Sequence, residues 1–295
     1  MTESERRVGL ALAGVAAFGF SFKAILIKLA YPYGVDAVTL LALRMSFALP
    51  IFLYVGFTAS RSAPPLVRRD WAMIVVLGLF GYYGASILDF LGLQYVSAGL
   101  ERLILFTYPT ITLLFGVALH GTKISRREWT AIALCYGGIA IAFTHDLRLS
   151  GDVTATLIGA GFVFASAVCY AIYLTGSGGM IARIGAARFT ALAMLVSTFA
   201  TLAHFLAVQP LTRMIQPLPV YGYALAMAIF CTAVPVFAQS AAIRRIGSGR
   251  AAMIGMIGPL LTIAFAAVLL SEGFSAAQML GAALVIAGIA VVSRK

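Results

Sequence analysis

At 295 residues, 62% hydrophobic and only 11% charged, the chain lies far from the composition of a soluble domain, in which about 25% of residues are charged. Its net charge of +11 does not point to a nucleic-acid partner, because the cations gather in short connectors between apolar runs. The cysteines Cys135, Cys169 and Cys231 all lie inside such runs, none at metal-ligand spacing, so no metal, cofactor or catalytic centre is expected.

Taken in chain order, apolar runs of about 20 residues, enough to cross roughly 30 Å of hydrocarbon, cover 8–30, 37–59, 71–96, 98–119, 128–145, 155–178, 187–208, 219–243, 249–271 and 275–293. Residues 1–7 are polar and no small-residue cleavage site follows, so the first run is read as a span rather than a removable signal peptide. Strands are not expected, since open sheet edges cannot sit in lipid and the alternation of a barrel is absent. The fold class predicted is therefore an all-α membrane protein of ten transmembrane helices. With the N-terminus inside, the inner segments hold Arg6, Arg7, Arg61, Arg68, Arg69, Lys123, Arg126, Arg127, Arg183, Arg188, Arg244, Arg245, Arg250, Arg294 and Lys295, against Lys28, Arg102, Arg148 and Arg213 outside. That asymmetry predicts both termini in the cytoplasm and basic contact with the inner leaflet of the bilayer.

The chain repeats itself. Gly99, Ile104, Pro109, Thr112, Leu119, Ala133, Gly138 and Ala140 meet Gly249, Ile254, Pro259, Thr262, Leu269, Ala283, Gly288 and Ala290 at an ungapped offset of 150 residues. Five spans per copy is an odd number, so the second copy must enter the membrane from the opposite face. Two inverted repeats are expected, 8–145 and 155–293, with a hinge between His145 and Thr154. Transporters use this arrangement because oppositely oriented halves can rock about a central site.

Ionisable residues inside spans are expensive and are read as functional by default. Lys23, Arg44 and Asp89 fall about 10–12 Å below the outer face, counting 1.5 Å per residue, which suggests one shared polar layer. Asp89 can neutralise one cation. A structural Arg44–Asp89 pair is one reading; a surplus cation that attracts a substrate carboxylate is the other. Asp89 could also accept a coupling proton. Its repeat partner is Gln239, and two stripes, Tyr82, Ser86, Asp89 and Thr232, Val236, Gln239, are expected to line the bundle interior.

On span 4 the stripe Glu101, Leu105, Tyr108, Thr112 opposes Ala251, Gly255, Gly258, Thr262 on span 9, bulk facing almost nothing, which leaves room for a ligand. Span 6 adds Ser166, Tyr170 and Tyr173. Walls of Tyr82, Tyr108, Tyr170 and Tyr173 would suit a mostly apolar ligand with a few polar handles, although each tyrosine could equally be a packing residue. Glu101 is read either as an outer-gate group or as a helix-dipole partner. Pro109 and Pro259, near the middle of spans 4 and 9, are expected to kink their helices at matching depth.

Gly19-Phe20-Ser21-Phe22-Lys23, Leu43-Arg44-Met45, the run Gly92 to Gly99 leading to Tyr108-Pro109, and Gly249 to Pro259 in the second half together resemble the drug/metabolite transporter superfamily, EamA type. The resemblance covers nearly the whole chain, with Phe18 and Tyr170 departing where the family commonly has Trp. It implies a bacterial inner-membrane exporter of small metabolites, with a cavity formed by spans 1, 3, 4, 6, 8 and 9 and a chain functioning as a monomer. Among its groups the chain is most similar in character to YddG-like amino-acid exporters; an exporter of lipophilic cations, drawing on Asp89 and Glu101, is the alternative.

Overall fold

A computed structural model describes residues 3–61, 63–120, 125–150, 152–246, 254–255, 257–271 and 275–293. Among them there is no strand. The helices are α1 (Glu3–Ala30), α2 (Ala37–Arg61), α3 (Arg68–Gly78), α4 (Ala85–Gly92), α5 (Ala98–Leu105), α6 (Tyr108–His120), α7 (Arg126–Ser150), α8 (Val153–Ile184), α9 (Ala186–Val208), α10 (Leu218–Ala228), α11 (Val234–Ile246), α12 (Gly258–Leu269) and α13 (Ala276–Ser293). Seven helical stretches among the described residues are long and apolar enough to cross a membrane, and three shorter apolar helices, Trp129–His145, Gly258–Leu269 and Ala276–Gly288, accompany them.

The repeat seen in the residues reappears in the backbone. Glu3, Arg68, Tyr108 and Arg126 open helices in the first half, and Val153, Leu218, Gly258 and Ala276, each 150 residues on, open them in the second. Between α3 and α4, Leu79–Gly84 winds as one wide π turn, and Ile229–Ala233 does the same between α10 and α11. A π turn carries one extra residue per turn and re-aims the side chains that follow it.

Packing obeys the same symmetry. α1 lies on α11 as its counterpart α8 lies on α4; α1 meets α12 as α8 meets α6; α2 meets α10 as α9 meets α3. The pairs α2–α9 and α7–α13 join counterparts to each other. Most of the core is therefore built between halves rather than within them. Counterparts also run in opposite directions. Gly9 at the start of α1 packs against Ile246 at the end of α11, and Asp70 at the start of α3 pairs with Arg183 at the end of α8. These termini share one face, called here the N face, and the opposite one is the far face.

The α7–α13 crossing depends on small residues, as membrane helices do where backbones approach closely. A Cβ on Gly138 would lie 2.5 Å from Gly281 O, and one on Gly288 would lie 2.7 Å from both Ala131 O and Cys135 Sγ. Cys135 Sγ reaches Val285 O at 3.6 Å, a residue touching its own repeat counterpart.

Pro109 and Pro259 do not kink continuous helices. The chain breaks at Phe106–Thr107 and at Ile257, and each proline sits in the first turn of the helix that follows. Proline is tolerated there because the N–H it lacks would have had no intrahelical partner.

Candidate functional site

The helix breaks and π turns surround a central cavity of about 530 Å³. Ser177 and Ile181 from the end of α8 and Ser240 from the end of α11 line it towards the N face, while Lys23, Ser21 and Arg102 line its far end. Of the residues expected at the site, Lys23, Arg44, Tyr82, Ser86, Tyr108, Tyr170, Tyr173 and Gln239 line the cavity, and Pro109 does too. Asp89, Glu101 and Pro259 do not; they are buried behind it. Ala251 lies outside the described residues, but Gly255 and Gly258 are in the wall where the missing bulk was anticipated.

The wall nearer the N face is aromatic. Tyr82 and Tyr173 join hydroxyl to hydroxyl at 2.7 Å, with ring centroids 4.9 Å apart. Tyr170 stacks on Tyr173 at 5.8 Å and meets the edge of Tyr108 at 4.9 Å. Tyr82 belongs to the first π turn and Thr232, its repeat counterpart, to the second; both face the cavity. Gly81 beside Tyr82 has no side chain because the Tyr173 ring occupies that space.

The far end is charged. Asp89 pairs with Lys23, Nζ to Oδ2 at 2.6 Å, so the Arg44–Asp89 pairing anticipated from the sequence is corrected. The carboxylate is 1% exposed, and a charge buried this deeply must have a counter-charge. Lys23 reaches it across the far end from α1, which packs there against α5.

Arg44 is left with neutral partners. It is 4% exposed; its Nη2 donates to Ser86 Oγ at 3.1 Å and reaches Met45 Sδ at 3.8 Å, its guanidinium lies 5.1 Å from the centre of the Phe90 ring, and Nε has no hydrogen-bond partner among the described residues. A cation–π contact, one hydroxyl and one thioether solvate a guanidinium incompletely. The group therefore faces the cavity with unused capacity for an anion.

Arg102 was assigned to the outer surface by charge counting. The structure buries it instead, 4% exposed, in the cavity wall. Ser97 caps α5 by accepting from Leu100 N at 3.0 Å, and the first turn of that helix then carries Glu101 and Arg102 inward. Arg102 Nε donates to Thr262 Oγ1 at 3.1 Å, its Nη2 donates to Phe20 O, and Thr262 in turn donates to Ser21 O at 3.0 Å. α1, α5 and α12 are thus laced together across the far end. Tyr31, donating to Phe90 O, adds a further tie.

A second polar cluster holds the N face of the flanking helices. Arg183 Nε meets Asp70 Oδ1 at 2.8 Å, while Arg188 donates to Ser60 Oγ at 3.2 Å and Pro64 O at 2.8 Å.

The EamA-like transporter family is matched twice along the chain, over residues 7–144 and 157–294. The chain is 31% identical over 272 residues to the uncharacterized transporter YcbK of Bacillus subtilis, covering 89% of this chain and 85% of that one. It is also 26% identical over 303 residues to a WAT1-related protein of Arabidopsis thaliana, covering 89% and 82%. A solved crystal structure of a protein at 18% identity shares the fold over 99% of this chain and 97% of that one, with a TM-score of 0.68. A membrane bundle of two repeats, matched by the same family model in each half, makes this chain a multi-pass transporter of the EamA-like family.

Proposed function

We propose that this protein exports amino acids or similar small zwitterionic metabolites across the bacterial inner membrane by alternating access. In this reading the chain crosses the bilayer ten times as two five-helix units, 8–145 and 155–293, with both termini and the N face in the cytoplasm. The far end, laced by Lys23–Asp89 and by Arg102 with Thr262 and Phe20, is then the closed outer gate, and the cavity is loaded from within.

The observation that carries the substrate class is Arg44. It is a buried guanidinium at the cavity wall with no carboxylate partner of its own among the described residues, joined by Lys23 and Arg102 around the same end of the cavity. A substrate carboxylate would supply the counter-charge through charge-assisted hydrogen bonds, while its side chain rests on the tyrosine wall. An exporter of lipophilic cations is disfavoured by the same facts, because Asp89 and Glu101 are withdrawn behind the wall and the charges facing the cavity are positive.

The test is a panel of labelled solutes in proteoliposomes together with overexpression in a sensitive host. Efflux of amino acids and protection against toxic amino-acid analogues support the reading. Protection confined to lipophilic cations, with no amino-acid flux, refutes it.

A further inference from the structure

Asp89 and Glu101 meet behind the far-end wall. Both are buried, at 1% and 0% exposure, and their carboxyl groups lie within hydrogen-bonding reach of each other. Neither Glu101 oxygen accepts a hydrogen bond among the described residues; Arg102 Nε stands 3.8 Å from Oε2. Asp89 has the Lys23 ammonium on Oδ2, yet among the described residues none donates to Oδ1. Arg102 directs Nε to Thr262 and Nη2 to Phe20 and makes no hydrogen bond to either carboxyl. Arg44 is committed to Ser86 and Phe90, and Tyr31 donates to a backbone carbonyl. Cys231, on the second π turn, lines the cavity and makes no hydrogen bond to either carboxyl.

Two buried acceptors thus face each other with no donor between them among the described residues. Like charges in contact cannot both persist where water is excluded, and an unmet buried acceptor costs more than a hydrogen bond returns. One hydrogen ion removes both difficulties: a Glu101 O–H donates to Asp89, and Lys23 neutralises the single remaining negative charge.

We propose that the Asp89–Glu101 pair is a proton-binding site built into the gate, holding one proton while the far end of the cavity is closed and releasing it to the far side when that end opens and water reaches both carboxyls. The inference deepens the transporter reading, because the gate caps the same cavity, but it does not depend on which solute is carried. It makes gate closure a proton-uptake step: rising pH on the far side favours the open form.

Infrared difference spectroscopy on the purified full-length protein in lipid nanodiscs tests this without any substrate. As pH is raised from neutral, where exposed acids are already ionised, the wild-type protein is expected to lose a protonated-carboxyl band that shifts in heavy water. Glu101→Gln, nearly isosteric and carrying its own N–H donor, should lack that band. A wild-type spectrum with no such band overturns the proposal whether or not the variant folds, and so does an undiminished band in folded Glu101→Gln. Failure here leaves amino-acid export standing, and absence of amino-acid flux leaves the spectrum unaltered.

Discussion

Replacing Arg44 with Met, the residue its repeat counterpart carries at position 194, should separate substrate binding from stability. In the folded protein the guanidinium makes a hydrogen bond to Ser86, a weak one to the Met45 sulfur and one ring contact, to Phe90. A hydrogen bond from a charged group contributes ~1.5–3 kcal/mol and a cation–π contact ~0.5–2 kcal/mol. Against these stands the desolvation of a cation that is 4% exposed and forms no ion pair among the described residues, a penalty of several kcal/mol. The terms nearly cancel, so Arg44→Met should melt at or above the wild-type temperature. Binding behaves otherwise. Losing the charged donors to a substrate carboxylate removes ~1.5–3 kcal/mol, which at about 1.4 kcal/mol per decade lowers apparent affinity roughly 10- to 150-fold. Counterflow of labelled amino acids in proteoliposomes, paired with thermal unfolding of the same preparation, reads both quantities. A variant that melts several degrees lower while binding like wild type would show Arg44 to be structural, and the reasoning would fail.

Lys23→Met should be far more damaging, since it strands the buried Asp89 carboxylate; a loss of ~3–5 kcal/mol is expected, and the double variant Lys23→Met/Asp89→Leu should regain most of it in a melting assay. Gly288→Leu should weaken the α7–α13 crossing by at least ~1–3 kcal/mol, because its side chain would collide with Ala131 and Cys135, whereas Gly137→Ala, whose Cβ meets no atom within 4 Å, should melt like wild type. Thr262→Val removes the acceptor for Arg102 and the donor to Ser21, and labelling of cavity residues by an impermeant reagent from the far side should rise. Tyr108→Ala should enlarge the cavity and shift a transport panel towards bulkier solutes, with smaller solutes losing affinity.

Much of this site can be read from residues alone, because membrane burial is costly enough to make position informative. The depth shared by Lys23, Arg44 and Asp89 follows from span lengths, and the four tyrosines follow from helical spacing. What spacing does not carry is which cation reaches Asp89. α4 packs against α2 rather than α1, yet the Lys23 side chain closes on Asp89 while the Arg44 guanidinium turns to Ser86. Arg102 is missed for a different reason: charge counting treats a cation at a span boundary as surface, whereas the short helix after Ser97 begins already enclosed by α1 and α12. Its place directly after Glu101 in the otherwise apolar stretch Gly99–Phe106 is the signal that could have found it. The π turns leave no mark in hydropathy, since one extra residue in an apolar run changes register without changing composition. The prolines signal a break correctly but not its kind, because a kink and a restart use the same residue.

The contact between Cys135 and Val285 has an ancestral reading. Two positions that correspond under the duplication touch only if the pseudo-twofold axis passes close by, and a patch that binds its own equivalent is the signature of an isologous interface. A five-helix ancestor could have paired with an upside-down copy of itself through this surface, long before fusion made the partnership permanent. Expressed today as two separate polypeptides, the halves should still find each other in a bilayer, and the glycine-lined crossing of α7 with α13 is where that reunion should be most sensitive to added bulk.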